Sequence, residues 1–376
     1  MRVLLYAGKG GVGKTTMAAA TAVHAARAGV KTLVVSTDGL GDTLGVPITA
    51  AGPVEIEPSL FAEQVDAHSR PDSTWQSLVE SVLGLDPSSL SGLPGIADVL
   101  TLLALSDQVR DGPWDLVVVD CAPILRVLAL PEVLTRPRLG PAQLLAARSV
   151  GLGRLGGLPL VLADVVGALT RLGEDLAGAI AVLRAPSTSV RLVLTPEAGA
   201  IAEAKRTRTA LGLHGLSLDA VVANRVVPAG GDDAWRRSWV ASQSAQLSDA
   251  EAAFAPSPLL RAPYLPAEPV GLEALSRMAD QVFEGVEDLL AFAHHDDWTL
   301  ECAGDGYDLL VDLPMARAAD VDLTHCGDEL VLTLGSCRRV LLLPSALRRC
   351  VVRGARMRGG RLRVHFAPDP ALWPRS

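Results

Sequence analysis

The sequence has few cysteines, no excess of positive charge and no long apolar run. Its five cysteines include no Cys-x-x-Cys pair and are odd in number, which argues against a disulfide framework and a zinc site of that type. The net charge of −8 disfavours broad attraction to nucleic acid or anionic lipid. The longest apolar stretch starts at Leu155, is interrupted by Asp164 and is too short to span a bilayer. We therefore expect a cytoplasmic protein without nucleic acid as a partner.

What the sequence does contain is a series of short apolar runs separated by helical segments. The first run ends at Gly8 and is followed by an alanine-rich segment, which is the composition of a helix. Apolar strands that alternate with helices predict a doubly wound α/β fold, with a mostly parallel sheet covered on both faces. The predicted strands are Arg2–Ala7, Lys31–Asp38, Asp115–Pro123, Val190–Glu197, Leu218–Pro228 and Leu259–Pro266.

The pattern changes near Trp298. Short apolar segments follow that are broken by Gly, Asp and Pro and have no helical segment between them, which predicts an all-β unit. We expect an α/β domain at residues 1–297 and a small β domain at residues 298–376. Residues 131–186, which are rich in Leu and Ala and interrupted by Gly and Pro, predict a helical subdomain within the first.

The stretch from Gly8 to Thr16 carries the strongest chemical signal. Its first eight residues, GKGGVGKT, match G-x-x-x-x-G-K-[ST] between a predicted strand and a predicted helix, the context that a phosphate-binding loop requires. The glycines let backbone N–H groups face phosphate oxygens at the positive end of the helix. Lys14 would reach the β- and γ-phosphates, and the Thr15 hydroxyl would bind Mg²⁺. The alternative is a glycine-rich turn that only caps a helix. The predicted ligands are ATP and Mg²⁺, and the predicted loop residues are Gly8, Lys9, Gly10, Gly11, Val12, Gly13, Lys14, Thr15 and Thr16.

Lys9 occupies a position that this motif leaves variable. The backbone of the loop already surrounds the phosphates, so Lys9 is not needed as a second ligand within its own chain. We expect it beside the γ-phosphate of a neighbouring subunit. There it would act as an arginine finger does, an effect of about 10³–10⁵ in rate. This role requires a homodimer, and the alternative is a solvated lysine on a loop.

The segment KGGVGKTT resembles the loop of the deviant Walker A, or deviant phosphate-loop, ATPases, which pair face to face across nucleotide. Further segments resemble one group of that class, the arsenical-pump and tail-anchored-protein-targeting ATPases. The C-terminal region from Leu309 is similar to the α-crystallin-like sandwich that some bacterial and plastid members append. The segments that resemble the ATPase group are Ser36–Asp38, Asp120–Pro123, Val193–Glu197, Val221–Pro228 and Pro263–Leu275.

The resemblance implies catalytic, metal and adenine sites. It implies that Asp38 orients or deprotonates the attacking water and that Asp120 holds Mg²⁺ through a water molecule. It also implies that Asn224 and Pro263 lie beside the adenine, and the alternative for Asn224 is a turn-forming residue. The implied catalytic set is Asp38, Lys9 and Lys14, and the implied metal ligands are Thr15 and Asp120.

Two loops depart from the pattern of this group. Where the group reads S-T-D-P-A-H-S-L-x-D the chain reads STDGLGD, and where the group reads D-T-A-P-T-G-H-T-L-R it reads DCAPILR. Both segments that sense the γ-phosphate are therefore shortened. Two functions stay open. One is an ATPase that drives a client or membrane partner, and the other is a nucleotide-stabilised scaffold or holdase with weak or no hydrolysis.

No metalloid site is predicted. Trivalent metalloid favours several thiolates close together, whereas the predicted ATPase domain contains only Cys121. A groove for an apolar client within residues 131–186 is the alternative to a helical core there, and a leucine stripe on a helix more often faces a core.

Overall fold

The computed structural model describes residues 1–37, 39–48, 52–65, 96–120, 174–230, 233–286, 298–304, 306–335 and 337–369. Asp38, Cys121 and most of the predicted subdomain at residues 131–186 lie outside the described residues. The structure consists of an α/β unit in the first 286 residues and an all-β unit from Trp298.

An eight-stranded sheet forms the centre of the α/β unit. Its strand order is β3-β4-β2-β5-β1-β6-β7-β8, and all neighbours are parallel except β3 and β4. All six predicted strands are confirmed, and β3 and β4 are additions to them. The strands are β1 (Arg2–Ala7), β2 (Thr32–Ser36), β3 (Val54–Glu57), β4 (Leu60–Gln64), β5 (Leu116–Asp120), β6 (Thr188–Leu194), β7 (Leu218–Val226) and β8 (Leu259–Pro263).

Helices cover both faces of this sheet because successive side chains of each strand point to opposite faces. On one face, Val3 and Leu5 of β1 share a core with helices α3 to α6. On the other, Leu4 and Tyr6 share a core with α1 and α7. The fold is therefore doubly wound, as predicted. The helices are α1 (Lys14–Arg27), α2 (Leu40–Leu44), α3 (Ile96–Asp111), α4 (residues 174–183), α5 (Ala198–His214), α6 (Ala234–Phe254) and α7 (Leu272–Val282). Among the described helices, none is both long and apolar enough to cross a membrane.

The C-terminal unit consists of two antiparallel sheets, with strand orders β14-β15-β10-β9 and β11-β12-β13. Side chains of both sheets, including Val311, Leu332 and Phe366, belong to one buried core. The predicted all-β unit is thus confirmed. Its strands are β9 (Trp298–Ala303), β10 (Gly306–Asp312), β11 (Val321–Cys326), β12 (Glu329–Leu334), β13 (Cys337–Leu342), β14 (Cys350–Arg358) and β15 (Arg361–Pro368).

The end of helix α5 packs directly against the C-terminal unit. Leu213 is fully buried within the core of that unit, although it belongs to the helix. The buried Arg339 of β13 donates a hydrogen bond of 2.7 Å to the Leu213 carbonyl oxygen, one of the acceptors that a helix end leaves unpaired. The Thr209 hydroxyl donates to the Pro314 carbonyl oxygen at 2.5 Å. The two units therefore share a packed and hydrogen-bonded interface.

Candidate functional site

The loop between β1 and α1 has a backbone that requires glycine at two positions. Gly13 has a φ of 93°, in the left-handed region, and a Cβ atom there would overlap the side-chain amide of Asn224. A Cβ atom at Gly8, whose φ is 153°, would overlap the Val193 carbonyl oxygen of β6. The loop is therefore held tightly against β6 and β7, and α1 begins directly after it at Lys14. This is the strand–loop–helix arrangement that the motif predicts.

Oxygen ligands meet where α1 begins. The Thr15 hydroxyl donates to Asp120 Oδ2 at 2.5 Å, and the Ser36 hydroxyl donates to the same oxygen at 3.0 Å. Asp120 is only 6% exposed, and the parallel register places it beside Ser36 at the carboxyl ends of β5 and β2. A hydroxyl and a carboxylate are the hard oxygen donors that Mg²⁺ prefers. The residues present therefore fit the predicted metal, and the two predicted ligands, Thr15 and Asp120, lie together.

The two lysines of the loop lie in different places. The Lys14 ammonium donates a hydrogen bond to the Lys9 carbonyl oxygen at 3.2 Å, so its side chain reaches back over the loop. The Lys9 side chain is exposed at the outer edge. Lys14 thus lies where it can meet phosphate bound by the loop. Action of Lys9 across a subunit interface stays a prediction.

Asn224 connects β7 to the loop. Its side chain is 5% exposed, donates from Nδ2 to the Val12 carbonyl oxygen at 2.8 Å and accepts at Oδ1 from the Arg225 backbone N–H at 2.9 Å. One amide N–H and one acceptor lone pair are left over. A cavity of about 440 Å³ lies alongside, lined by Gly13, Thr16, Asn224, Arg225, Pro263 and Tyr264 among others. The structure therefore brings the two residues predicted to contact adenine into one cavity beside the loop.

Two residues of this region were not predicted. In the sequence, Ser36 is noted only as part of the segment Ser36–Asp38. Its hydrogen bond to Asp120 results from the pairing of β2 with β5. Gln243 of α6 is buried against the end of β7, where it bonds the backbone of Arg225 and Val227. A polar residue in a polar helix carries no local signal for such a contact. Asp38 lies outside the described residues.

A parallel sheet with a glycine loop leading into a helix, and oxygen donors at the adjoining strand ends, defines a P-loop nucleotide-binding fold. Residues 1–284 match a family model described as anion-transporting ATPase, and residues 304–366 match an HSP20-like domain found in ArsA. The chain belongs to the anion-transporting ATPase family. The resemblance to arsenical-pump ATPases with an appended α-crystallin-like domain is thereby confirmed.

Relatives match over almost the whole chain. An uncharacterized protein of Streptomyces coelicolor is 39% identical, with 100% of both chains covered. A protein of Mycobacterium tuberculosis is 33% identical over 99% of this chain and 97% of its own length. A putative arsenical pump-driving ATPase of Chlorobaculum tepidum is 27% identical over 92% of this chain and 91% of its own length. Both units of the chain are thus matched together in single proteins.

Proposed function

We propose that the protein binds MgATP at the Gly8–Thr16 loop and hydrolyses it as a homodimer, to drive a conformational change in a client or membrane partner. The main support is that Thr15 of the loop bonds Asp120, that the buried amide of Asn224 bonds Val12 of the loop, and that a cavity lies beside them. Membership of an ATPase family favours hydrolysis over binding alone. We further propose that residues 1–297 and 298–376 are the two domains, and that the protein is cytoplasmic.

Each residue of the site has a defined part in this proposal. Loop N–H groups and Lys14 would bind the phosphates, while Thr15 and Asp120, the latter through water, would hold Mg²⁺. The bound metal supplies charge neutralisation at the phosphate oxygens. Asp38 would accept a proton from the attacking water. The oxygen of that water would bond to the γ-phosphorus while the bond between the γ-phosphorus and the ADP oxygen breaks. Lys9 of the second subunit would stabilise the negative charge of the transferring group.

A second function is favoured by the shortness of STDGLGD, the first of the two segments that sense the γ-phosphate. Only residues 37–39 separate the end of β2 at Ser36 from the start of α2 at Leu40, and α2 itself has five residues. A connection of this length leaves little chain to rearrange around a γ-phosphate. Under this alternative, ATP stabilises a dimeric scaffold or holdase, and the C-terminal β domain contacts partners.

A comparison of ATP binding with single-turnover phosphate release tests both proposals. Lys14→Ala should abolish MgATP binding measured by calorimetry, because it removes the cation that meets the β- and γ-phosphates. Lys205→Ala is the matched control, since Lys205 is a lysine of α5 paired with Asp249 away from the loop. Unchanged ATP affinity in Lys14→Ala would overturn the site assignment. Tight binding by the parent with no phosphate release would support the scaffold and reject the ATPase.

A further inference from the structure

The end of strand β7 has an unusual backbone. Arg225 has a φ of 62°, in the left-handed region that residues with a Cβ atom rarely adopt. The pairing of β7 with β8 is irregular at the same point, since the register shifts between Ala223 and Val226. Regular strand pairing therefore does not hold Arg225 in place, and another contact has to stabilise its conformation.

Gln243 supplies that contact. Its side chain, which is 6% exposed, projects from α6 to the end of β7. Oε1 accepts from the Val227 backbone N–H at 2.8 Å, and Nε2 donates to the Arg225 carbonyl oxygen at 3.2 Å. The carboxamide thus substitutes for a neighbouring strand on both sides of Val226. Its donor and acceptor are both used, so the bridge requires an amide and not merely a polar side chain.

The backbone N–H of Arg225 takes part in orienting Asn224. The Arg225 N–H donates to Asn224 Oδ1 at 2.9 Å, while the Val12 carbonyl oxygen accepts from Asn224 Nδ2 at 2.8 Å. A donor facing Oδ1 and an acceptor facing Nδ2 fix which end of the amide is oxygen and which is nitrogen. The free N–H and the free lone pair of Asn224 then have fixed positions beside the cavity lined by Pro263 and Tyr264.

An amide fixed in this way distinguishes two purines. A carboxamide pairs with adenine by donating to N7 and accepting from the N6 amino group, whereas guanine presents acceptors at both N7 and O6. Discrimination requires that the amide cannot rotate to exchange its two ends. The Arg225 N–H and the Val12 carbonyl oxygen together oppose this rotation, and Gln243 holds the backbone of the residue that carries this N–H.

We propose that Gln243 is a positioning residue for base recognition, which holds Arg225 so that Asn224 selects adenine over guanine. The inference rests on the proposed nucleotide site and adds its base specificity. Gln243 itself faces the backbone of β7, and its effect on the base is exerted through Arg225 and Asn224. Its loss should affect recognition of the base more than recognition of the phosphates, because Gln243 bonds the backbone of β7 and makes no hydrogen bond to the Gly8–Thr16 loop.

The experiment compares affinities for MgATP, MgGTP and magnesium tripolyphosphate by calorimetry on the full chain. Gln243→Met keeps the length of the side chain and removes both hydrogen bonds. We expect the ratio of ATP to GTP affinity to fall by about 5- to 150-fold, the range for one amide–base pair. Tripolyphosphate affinity should stay within about twofold, since it has no base to recognise. Ser244→Ala, on the exposed side of the same helix, is the control and should behave like the parent.

A second substitution separates positioning from general damage. Glycine adopts a positive φ without steric penalty. The double variant of Gln243→Met and Arg225→Gly should therefore regain most of the discrimination between ATP and GTP that Gln243→Met loses. Arg225→Gly alone is the reference for this comparison. Gln243→Glu, which keeps the acceptor for Val227 but lacks the donor for Arg225, should also lose discrimination and serves if Gln243→Met does not fold.

The possible results separate the role of Gln243 from the existence of the proposed nucleotide site. A parent that binds none of the three ligands refutes the proposed nucleotide site. A parent that binds ATP but does not prefer it to GTP, or a folded Gln243 variant that keeps the full preference, refutes the role of Gln243. An equal loss of ATP, GTP and tripolyphosphate affinity would show that Gln243 is only structural and would refute the inference as well.

Discussion

Replacing Leu213 by alanine should destabilise the C-terminal β unit, although the residue belongs to a helix of the α/β unit. Leu213 lies near the end of α5, is fully buried and is part of the core that includes Leu309 and Val311 of β10. Leu213→Ala removes apolar side-chain atoms from that core and leaves a cavity. The hydrogen bond from the Arg339 guanidinium to the backbone carbonyl oxygen of residue 213 is retained, so the substitution tests side-chain packing alone.

The expected cost is about 3 kcal/mol, within the range of about 2–5 kcal/mol measured for buried leucine-to-alanine changes. Because Leu213 has no exposed surface, both the transfer free energy and the cavity contribute. A loss of this size increases the population of locally opened states by about 100-fold, since about 1.4 kcal/mol corresponds to tenfold. Protection from amide hydrogen exchange should fall accordingly in β10 to β13.

Leu211 provides a matched control. It lies two residues earlier in α5 and is equally buried, but it belongs to the core of the α/β unit, together with Leu192 and Leu247. Hydrogen exchange with mass spectrometry should show loss of protection in the α/β unit for Leu211→Ala and in the β unit for Leu213→Ala. Undiminished protection of the β unit in Leu213→Ala would refute the packing argument. Equal losses in both units for both variants would show one cooperative unit in place of two.

Two further predictions concern pH and the loop lysines. Burial, followed by the positive charges of Arg339 and Arg184, lowers the pKa of His214 from 6.5 to about 4. Between about pH 6.5 and about pH 4, His214 is therefore protonated in the unfolded chain and neutral in the folded chain. The free energy of unfolding should decrease by about 2–3 kcal/mol between pH 7 and pH 4.5 through this residue. Urea unfolding should show a smaller decrease in His214→Gln, and an identical decrease would refute the assignment. For the loop, mixing Lys9→Ala with Lys14→Ala chains should recover part of the parent phosphate release, because a mixed dimer has one complete site. No recovery, with mixed dimers confirmed by native mass spectrometry, would reject action of Lys9 on the partner subunit.

Most of the strands of the α/β unit that could be predicted from sequence are buried on both faces. β1, β2, β5, β6 and β7 are largely apolar, because helices cover both sides of the sheet there, whereas β8 is a half-buried edge strand with an exposed Arg261. The edge strand β3 and its neighbour β4 were missed. β3 alternates apolar residues with Glu55 and Glu57, and the two strands are separated only by Pro58 and Ser59. In the β unit, β9 and β14 lie outside the short apolar segments from which that unit is predicted, and the three arginines of β14, at 353, 356 and 358, leave it without an apolar run.

The residues of the candidate site also differ in whether the sequence alone could predict them. The loop and Thr15 could be predicted because a phosphate-binding loop is contiguous in sequence. Asn224 and Pro263 were found through the resemblance to a family, since they come from distant strands that meet at the cavity. Ser36 and Gln243 could not be predicted, because their contacts depend on how β2 pairs with β5 and how α6 packs on β7.

Gly212 shows how contact with the β unit constrains the sequence of the α/β unit. It lies inside α5, where glycine costs about 1 kcal/mol relative to alanine. A Cβ atom there would come within 2.8 Å of the Asp312 carbonyl oxygen of β10, so close approach of the two backbones favours glycine over the better helix former. The three atoms nearest to such a Cβ atom all belong to Asp312 and Pro314 of the β unit, so without that unit they would not crowd an alanine here. A glycine two residues before the last residue of this helix, His214, is therefore the mark that contact with the β unit leaves in the sequence of the α/β unit.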